Sequence, residues 1–168
     1  MTDFQKYIQR YLDLLPTENW LEEMGIVGRE TLELYQSISE EQSNFAYAEG
    51  KWSLKFLLQH LIDAERIFVY RALRFSRNDR TELAGWDEEE YAKTYSLDDT
   101  SSESLILEFE HLRKSTILFF EGLSEVVLAQ TGIANHNEIS VEIIGKLVVS
   151  HNIHHLNIIK ERYLPHFN

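Results

Sequence analysis

Three of the seven histidines fall in one five-residue stretch, "HNIHH" at residues 151–155, within the largely apolar segment "IGKLVVSHNIHHLNIIKERYL". His151 and His155 are four apart, so on a helix both rings leave from one face, one turn above the other. That face also carries Ile144, Val148 and Ile158, so two imidazoles stand where the spacing calls for aliphatic side chains. A buried imidazole without a partner is costly, which leaves three readings: hydrogen bonding in the core, a bound metal, or exposure at a bundle end. His60, in "KFLLQHLIDAER", lies between Leu57 and Ala64 on the apolar face of a different segment. His60, His151 and His155 thus form a three-histidine set drawn from two helices. Such a set leaves one or more positions on a metal open to water or substrate, which is what separates catalytic from structural zinc sites.

The other chemistry is thinner. His154 is turned about 100° from His155; it could replace His155 at a spacing of three from His151, but a supporting or surface role suits it better. His111, His136 and His166 read as ordinary polar residues. "EFEH" offers Glu108 and His111 at the E-x-x-H spacing of di-iron bundles, but that architecture needs a second copy, and none occurs. Asp63 and Glu65 could orient a ligating histidine, although pairing with Arg66 and Arg71 is the plainer reading. Asn152 stands where a protease-like helix would carry a glutamate base. No glycine-rich phosphate loop, G-x-S-x-G turn or H-E-x-x-H motif occurs.

The elements that must position these residues are helical. Both prolines, Pro16 and Pro165, lie near the ends of the chain, so long helices can run through its middle. Pro16 and Thr17 separate a short amphipathic N-terminal helix from a longer one with Trp20, Met24, Val27, Thr31, Leu34 and Ile38 on one face. Ser53 is the expected N-cap of a second, with Leu57, His60, Ala64, Ile67 and Arg71 on its face. A third carries Leu105, Phe109, Leu112, Thr116, Phe119 and Leu123, and the fourth follows the polar "NHNEIS". Four comparable seams predict an all-α, four-helix bundle filling one domain, 1–168. About a dozen residues join the first two long helices and about two dozen the next two. The longer connection holds "GWDEEEYAKTY", expected as a short helix over one end of the bundle, with Asp87 and Tyr91 as possible helpers at the site.

Composition narrows the function classes. The formal charge of −12 opposes binding to phosphate backbones. The one basic cluster, "RALRFSRNDR" at 71–80, reads as a solvated helix end. There is no cysteine, hence no disulfide, thiolate metal site or cysteine nucleophile. No apolar run approaches the roughly 18 residues of a membrane span, and a soluble cytoplasmic protein is the expectation, with neither nucleic acid nor membrane as partner.

"YAEGKWSLKFLLQHLIDAERIFVYRALRFSRND" (47–79), "GWDEEEYAKTY" (85–95) and "IGKLVVSHNIHHLNIIKERYL" (144–164) together resemble the DinB-like (YfiT-like) family of metal-dependent enzymes. The resemblance implies a four-helix bundle, commonly dimeric, with a divalent metal, often zinc or nickel. It assigns the ligands, by motif, to His60, His151 and His155. Asn152 departs from the glutamate of many relatives. The family includes transferases that use low-molecular-weight thiols, so the expected function is a metal-dependent thiol S-transferase or hydrolase acting on a small electrophilic molecule. A thiol cosubstrate would supply the thiolate that a cysteine-free chain lacks. The alternative is a non-catalytic metal- or ligand-binding bundle. A homodimer is expected from the family and from aromatics read as exposed, among them Phe68, Phe75 and Phe120.

Overall fold

Each long helix begins at a side-chain cap written in the sequence. In the computed structural model, which describes residues 2–167, Thr2 and Gln5 form a capping box at α1 (Asp3–Leu12) and Asn19 caps α2 (Trp20–Ser37). A single turn, α3 (Glu40–Ser43), precedes α4 (Leu54–Ser76), whose cap is Ser53 as expected. Asp87 caps the short α5 (Glu88–Thr94), and Ser101 caps α6 (Ser102–Glu121). A second single turn, α7 (Glu125–Leu128), leads into a hairpin of β1 (Thr131–Ala134) and β2 (Asn137–Ser140). Ser140 then caps α8 (Val141–Arg162), and a 3-10 turn (Leu164–His166) follows.

The four long helices α2, α4, α6 and α8 form the bundle, with an order that the connections explain. Tyr35 near the end of α2 donates to Leu54 O at the start of α4 (2.9 Å), and Tyr163 after α8 donates to Trp52 O (2.8 Å). The start of α6 lies at the same end, where Ser102 N donates to Glu40 Oε2 (2.9 Å) and Ser102 Oγ to Ser43 Oγ (2.7 Å). So α4 and α6 run parallel, opposite to α2 and α8. Packing joins α4 to α8 and α6, and α2 to α6 and α8, which leaves the consecutive helices α2 and α4 on a diagonal. The connection of residues 77–101 must therefore travel the length of the bundle to restart α6 beside α4.

Three sequence expectations need correction. "NHNEIS" is not a plain loop: it supplies the turn and second strand of the hairpin. Asn135 (φ 48°) and His136 (φ 62°) are both left-handed, as a two-residue hairpin turn of the primed type requires. Asn and His tolerate that region better than most residues, which is why a turn without glycine was hard to see. Gly132 in β1 has no room for a side chain, since a Cβ there would sit 2.1 Å from Phe75. Second, Phe75 and Phe120 are fully buried and Phe68 is half-buried, so they give no support to a dimer surface. Third, on α6 the buried face runs Phe109, Arg113, Thr116, Phe120, passing beside the expected Leu112 and Phe119, which are half-buried. Among the described residues, no helix is long and apolar enough to cross a membrane.

Candidate metal centre

The antiparallel packing of α4 on α8 brings His60 against the His151–His155 face. His60 Nε2 lies 3.0 Å from His151 Nε2, and His155 Nε2 lies 3.1 Å from the same atom. The three rings are buried, His151 at 9 % exposure being the most open. An imidazole nitrogen carries either one hydrogen or one lone pair, so it makes one good hydrogen bond. Two such contacts converge on His151 Nε2, one more than hydrogen bonding can satisfy. A cation receiving the lone pairs removes the conflict. Metal–nitrogen bonds of about 2.0–2.1 Å at angles between octahedral and tetrahedral place ligand nitrogens about 2.9–3.4 Å apart, and both measured separations fall inside that window.

Electrostatics keep the set in ligand form. Burial, and then the charge of His154, lowers His60 to about 4, and burial, then His60 and His154, lowers His155 to about 3. Burial and the three surrounding histidines hold His151 well below its usual range. Neutral imidazoles are what a metal requires. The donor set is three nitrogens with no thiolate, which suits zinc, nickel, copper or iron. Among the described residues His60, His151 and His155 alone form a cluster of three such groups.

The surroundings differ from expectation in instructive ways. Asp63 accepts from Gln59 Nε2 (2.8 Å), and Glu65 is taken by Arg113, so neither orients a ligand. Nor does Glu65 pair with Arg66 or Arg71: Arg66 bonds Glu108 (2.6 Å), which removes the E-x-x-H carboxylate from any metal role. His155 Nδ1 is buried without a protein partner. Aromatic rings hold the other ligands: Trp52 and Trp86 lie 5.0 and 5.9 Å from the His60 ring, and Phe68 and Tyr11 lie 5.9 and 6.0 Å from His151. His154 lies outside the triad, with its ring 5.4 Å from Tyr11.

The long connection does reach the site, with Trp86, Asp87, Glu88 and Glu89 on the cavity wall. The short helix α5 forms, but it lies beside His60, nearly two turns into α4, and not over a bundle end. Asp87 is committed to capping, accepting from Glu89 N and Glu90 N, and Tyr91 packs edge-on against Trp86. Glu88 is the carboxylate at the metal end, its Oε2 4.0 Å from His60 Nε2. Burial, then Glu89 and Asp87, raises its pKa. Three adjacent glutamates at a helix start look alike in sequence, and only the rotation of α5 distinguishes Glu88.

A cavity of about 610 Å³ opens onto His151, walled by α1, the segment 85–89, the hairpin and the α4–α8 groove. Its size is that of a small-molecule site.

Asn152 turns from the site into the core, where Oδ1 accepts from Arg113 Nη2 (2.9 Å) and Nδ2 donates to Thr31 Oγ1 (2.9 Å). Its role is packing, beside a ligand but apart from it.

Comparison with known proteins agrees with this architecture. A structure described as "YfiT from Bacillus subtilis is a probable metal-dependent hydrolase with an unusual four-helix bundle topology" superposes with a TM-score of 0.74 at 17 % identity, covering 88 % of this chain and 90 % of that one. No curated protein matches. The family model of the DinB superfamily matches residues 25–159, which take in most or all of each bundle helix and every histidine of the cluster; the chain belongs to the DinB superfamily.

Proposed function

We propose that the protein is a metal-dependent enzyme, a hydrolase or thiol S-transferase, acting on a small electrophilic molecule at the His60, His151 and His155 centre. The observation that carries this reading is the double approach to His151 Nε2 at 3.0 and 3.1 Å beside an open cavity. The likeness to YfiT, described as a probable metal-dependent hydrolase, lends further support.

A divalent metal held there, with zinc and nickel favoured on family grounds, would supply Lewis acidity that lowers the pKa of a water or thiol at its open position. His60, His151 and His155 would hold the metal through the Nε2 atoms that converge here. Trp52 and Trp86 flank His60 and limit water on that side. Glu88 Oε2 is placed to accept the proton that a water or thiol loses, and its raised pKa makes it a better base than an exposed glutamate. Burial and then Tyr7 push the Tyr11 phenol up, so it stays an O–H donor on the cavity wall. With no cysteine in the chain, a transferase would take its thiolate from a cosubstrate.

The test is elemental analysis of untagged protein purified without chelator, beside His151→Ala. About one metal per chain, lost in the variant, supports the centre and opens a screen of electrophiles with and without thiols. Metal bound without turnover across that screen would favour the non-catalytic bundle. No metal, even after incubation with zinc and nickel, would sink the enzyme reading and leave a non-catalytic ligand-binding bundle.

A further inference from the structure

The cavity that ends at His151 holds a second polar feature. Arg71, on α4, is the sole cationic side chain among its described lining residues. His60 and Arg71 are eleven residues apart on one helix, so they share a face to within about 20° and are separated by on the order of 16 Å along the axis. On the antiparallel α8, His151 and Ile144 run in the same direction along the cavity wall. Between the two ends α4 and α8 contribute the apolar Phe68, Ile144 and Leu147, and α1 and the hairpin add Phe4, Ile8 and Ile139, with four acidic residues and Asn135 also on the wall. The cavity thus has a metal-binding end, an apolar middle and a guanidinium.

Arg71 is unusual in this acidic chain. It is half-buried, and one donor, Nη2, is used by Ala84 O at 2.8 Å. Among the described residues it forms no ion pair, whereas Arg66, Arg74 and Arg113 each have a carboxylate. Most of its five N–H donors are therefore uncommitted. Of the four acids that line the cavity, Asp3 lies 3.4 Å from Lys6, Asp87 caps α5 and Glu88 sits beside His60, and among the described residues none of the four, Glu89 included, forms an ion pair with Arg71. A half-buried guanidinium that lines a cavity and has no counter-ion is suited to receive one from a ligand.

We infer that Arg71 is the carboxylate-recognition residue of this site, selecting an elongated substrate with an apolar body, an anionic carboxylate at one end and its reactive group on the order of 10 Å away. The distance follows from the α4 spacing less the reach of the two side chains. One guanidinium supplies one positive charge, and the four carboxylates elsewhere on the cavity wall, Asp3, Asp87, Glu88 and Glu89, oppose a second negative charge on the ligand, which favours a carboxylate over a phosphomonoester. The inference rests on the proposed function for the reacting end, whereas Arg71 recognition stands apart from the metal.

The test uses 4-phenylbutyrate, its uncharged amide and 4-phenylbutylamine, titrated into full-length protein as purified and after chelator treatment. Calorimetry reads affinity, and tryptophan fluorescence reports Trp86 on the cavity wall. The acid should bind at least tenfold more tightly than the amide in both preparations, with the preference lost in Arg71→Met and partly kept in Arg71→Lys. Equal affinities for acid and amide, or tighter binding of the amine, would overturn the inference without any variant needing to fold. Acid binding confined to metal-loaded protein would also overturn it, because the carboxylate would then sit on the metal. Acid preference in a protein that binds no metal would support Arg71 recognition while sinking the proposed function.

Discussion

Arg113 and Glu65 face each other as a buried bidentate pair, with Nε 3.1 Å from both carboxylate oxygens and Nη2 2.8 Å from Oε2. The guanidinium also donates to Met24 O (3.1 Å) and Asn152 Oδ1 (2.9 Å), and its Cζ stands 4.9 Å from the Phe109 ring centre. Asn152 in turn binds Thr31. One residue thereby ties α6 to α2, α4 and α8, and the α8 tie is made next to His151. The pair fixes the rotation of the helices that carry the metal centre.

Removing one member leaves the other charge buried without compensation, at a cost of about 3–5 kcal/mol. Arg113→Met is expected to destabilise by that order in urea melts. The double variant Glu65→Leu/Arg113→Met should recover most of the loss, since neither charge is then stranded. Equal destabilisation by the single and double variants would contradict this account.

His151 supplies the nitrogen shared by both close contacts, so its loss should do more than remove one ligand of three. Saturating metal at 100 times its Kd raises wild-type stability by about 2.7 kcal/mol. The expected result is a metal-dependent rise in Tm for the wild type, reversed by chelator, and no rise for His151→Ala. A His151→Ala protein that still responds to metal like the wild type would place the metal elsewhere.

Glu88 lines the cavity with His151, and its Oε2 lies 4.0 Å from the ligand nitrogen of His60. Glu88→Gln should keep one metal per chain while lowering turnover by about 10²-fold or more, the usual scale of a general base. Unchanged turnover with unchanged metal would assign Glu88 to the surface.

Glu40 joins three elements at the end of the bundle where α4 and α6 begin, bonding Lys55 on α4 and Ser102 N on α6. The Lys55 bond first, then Ser102, lowers its pKa from 4.5 to about 2. A folded pKa below the unfolded one means that the contribution is present above about 4.5 and is lost as pH falls towards 2. Glu40→Gln should therefore be less stable than wild type at pH 7, with the gap in denaturation midpoint closing by pH 2.5. A gap independent of pH would show that the ion pair contributes nothing, an outcome to which the half-exposed carboxylate sets a small ceiling.

The helices, the cap at Ser53 and the three histidines were legible in the sequence because each is a local signal. A 3.6-residue rhythm, a serine before it and polar rings on an apolar face need no knowledge of what lies across the interface. Arg113 was not legible, since an arginine on a core face makes sense only once Glu65 on another helix is known to meet it. The hairpin hid behind a turn lacking glycine, and the diagonal placement of α2 and α4 is a property of packing alone. Glu88 and Arg71 have the same limitation: each belongs to a run of like-charged residues, and position in space separates them. Helix periodicity, then, determined which residues share a face, while the way four faces and one long connection close around His151 decided which of them can meet a ligand.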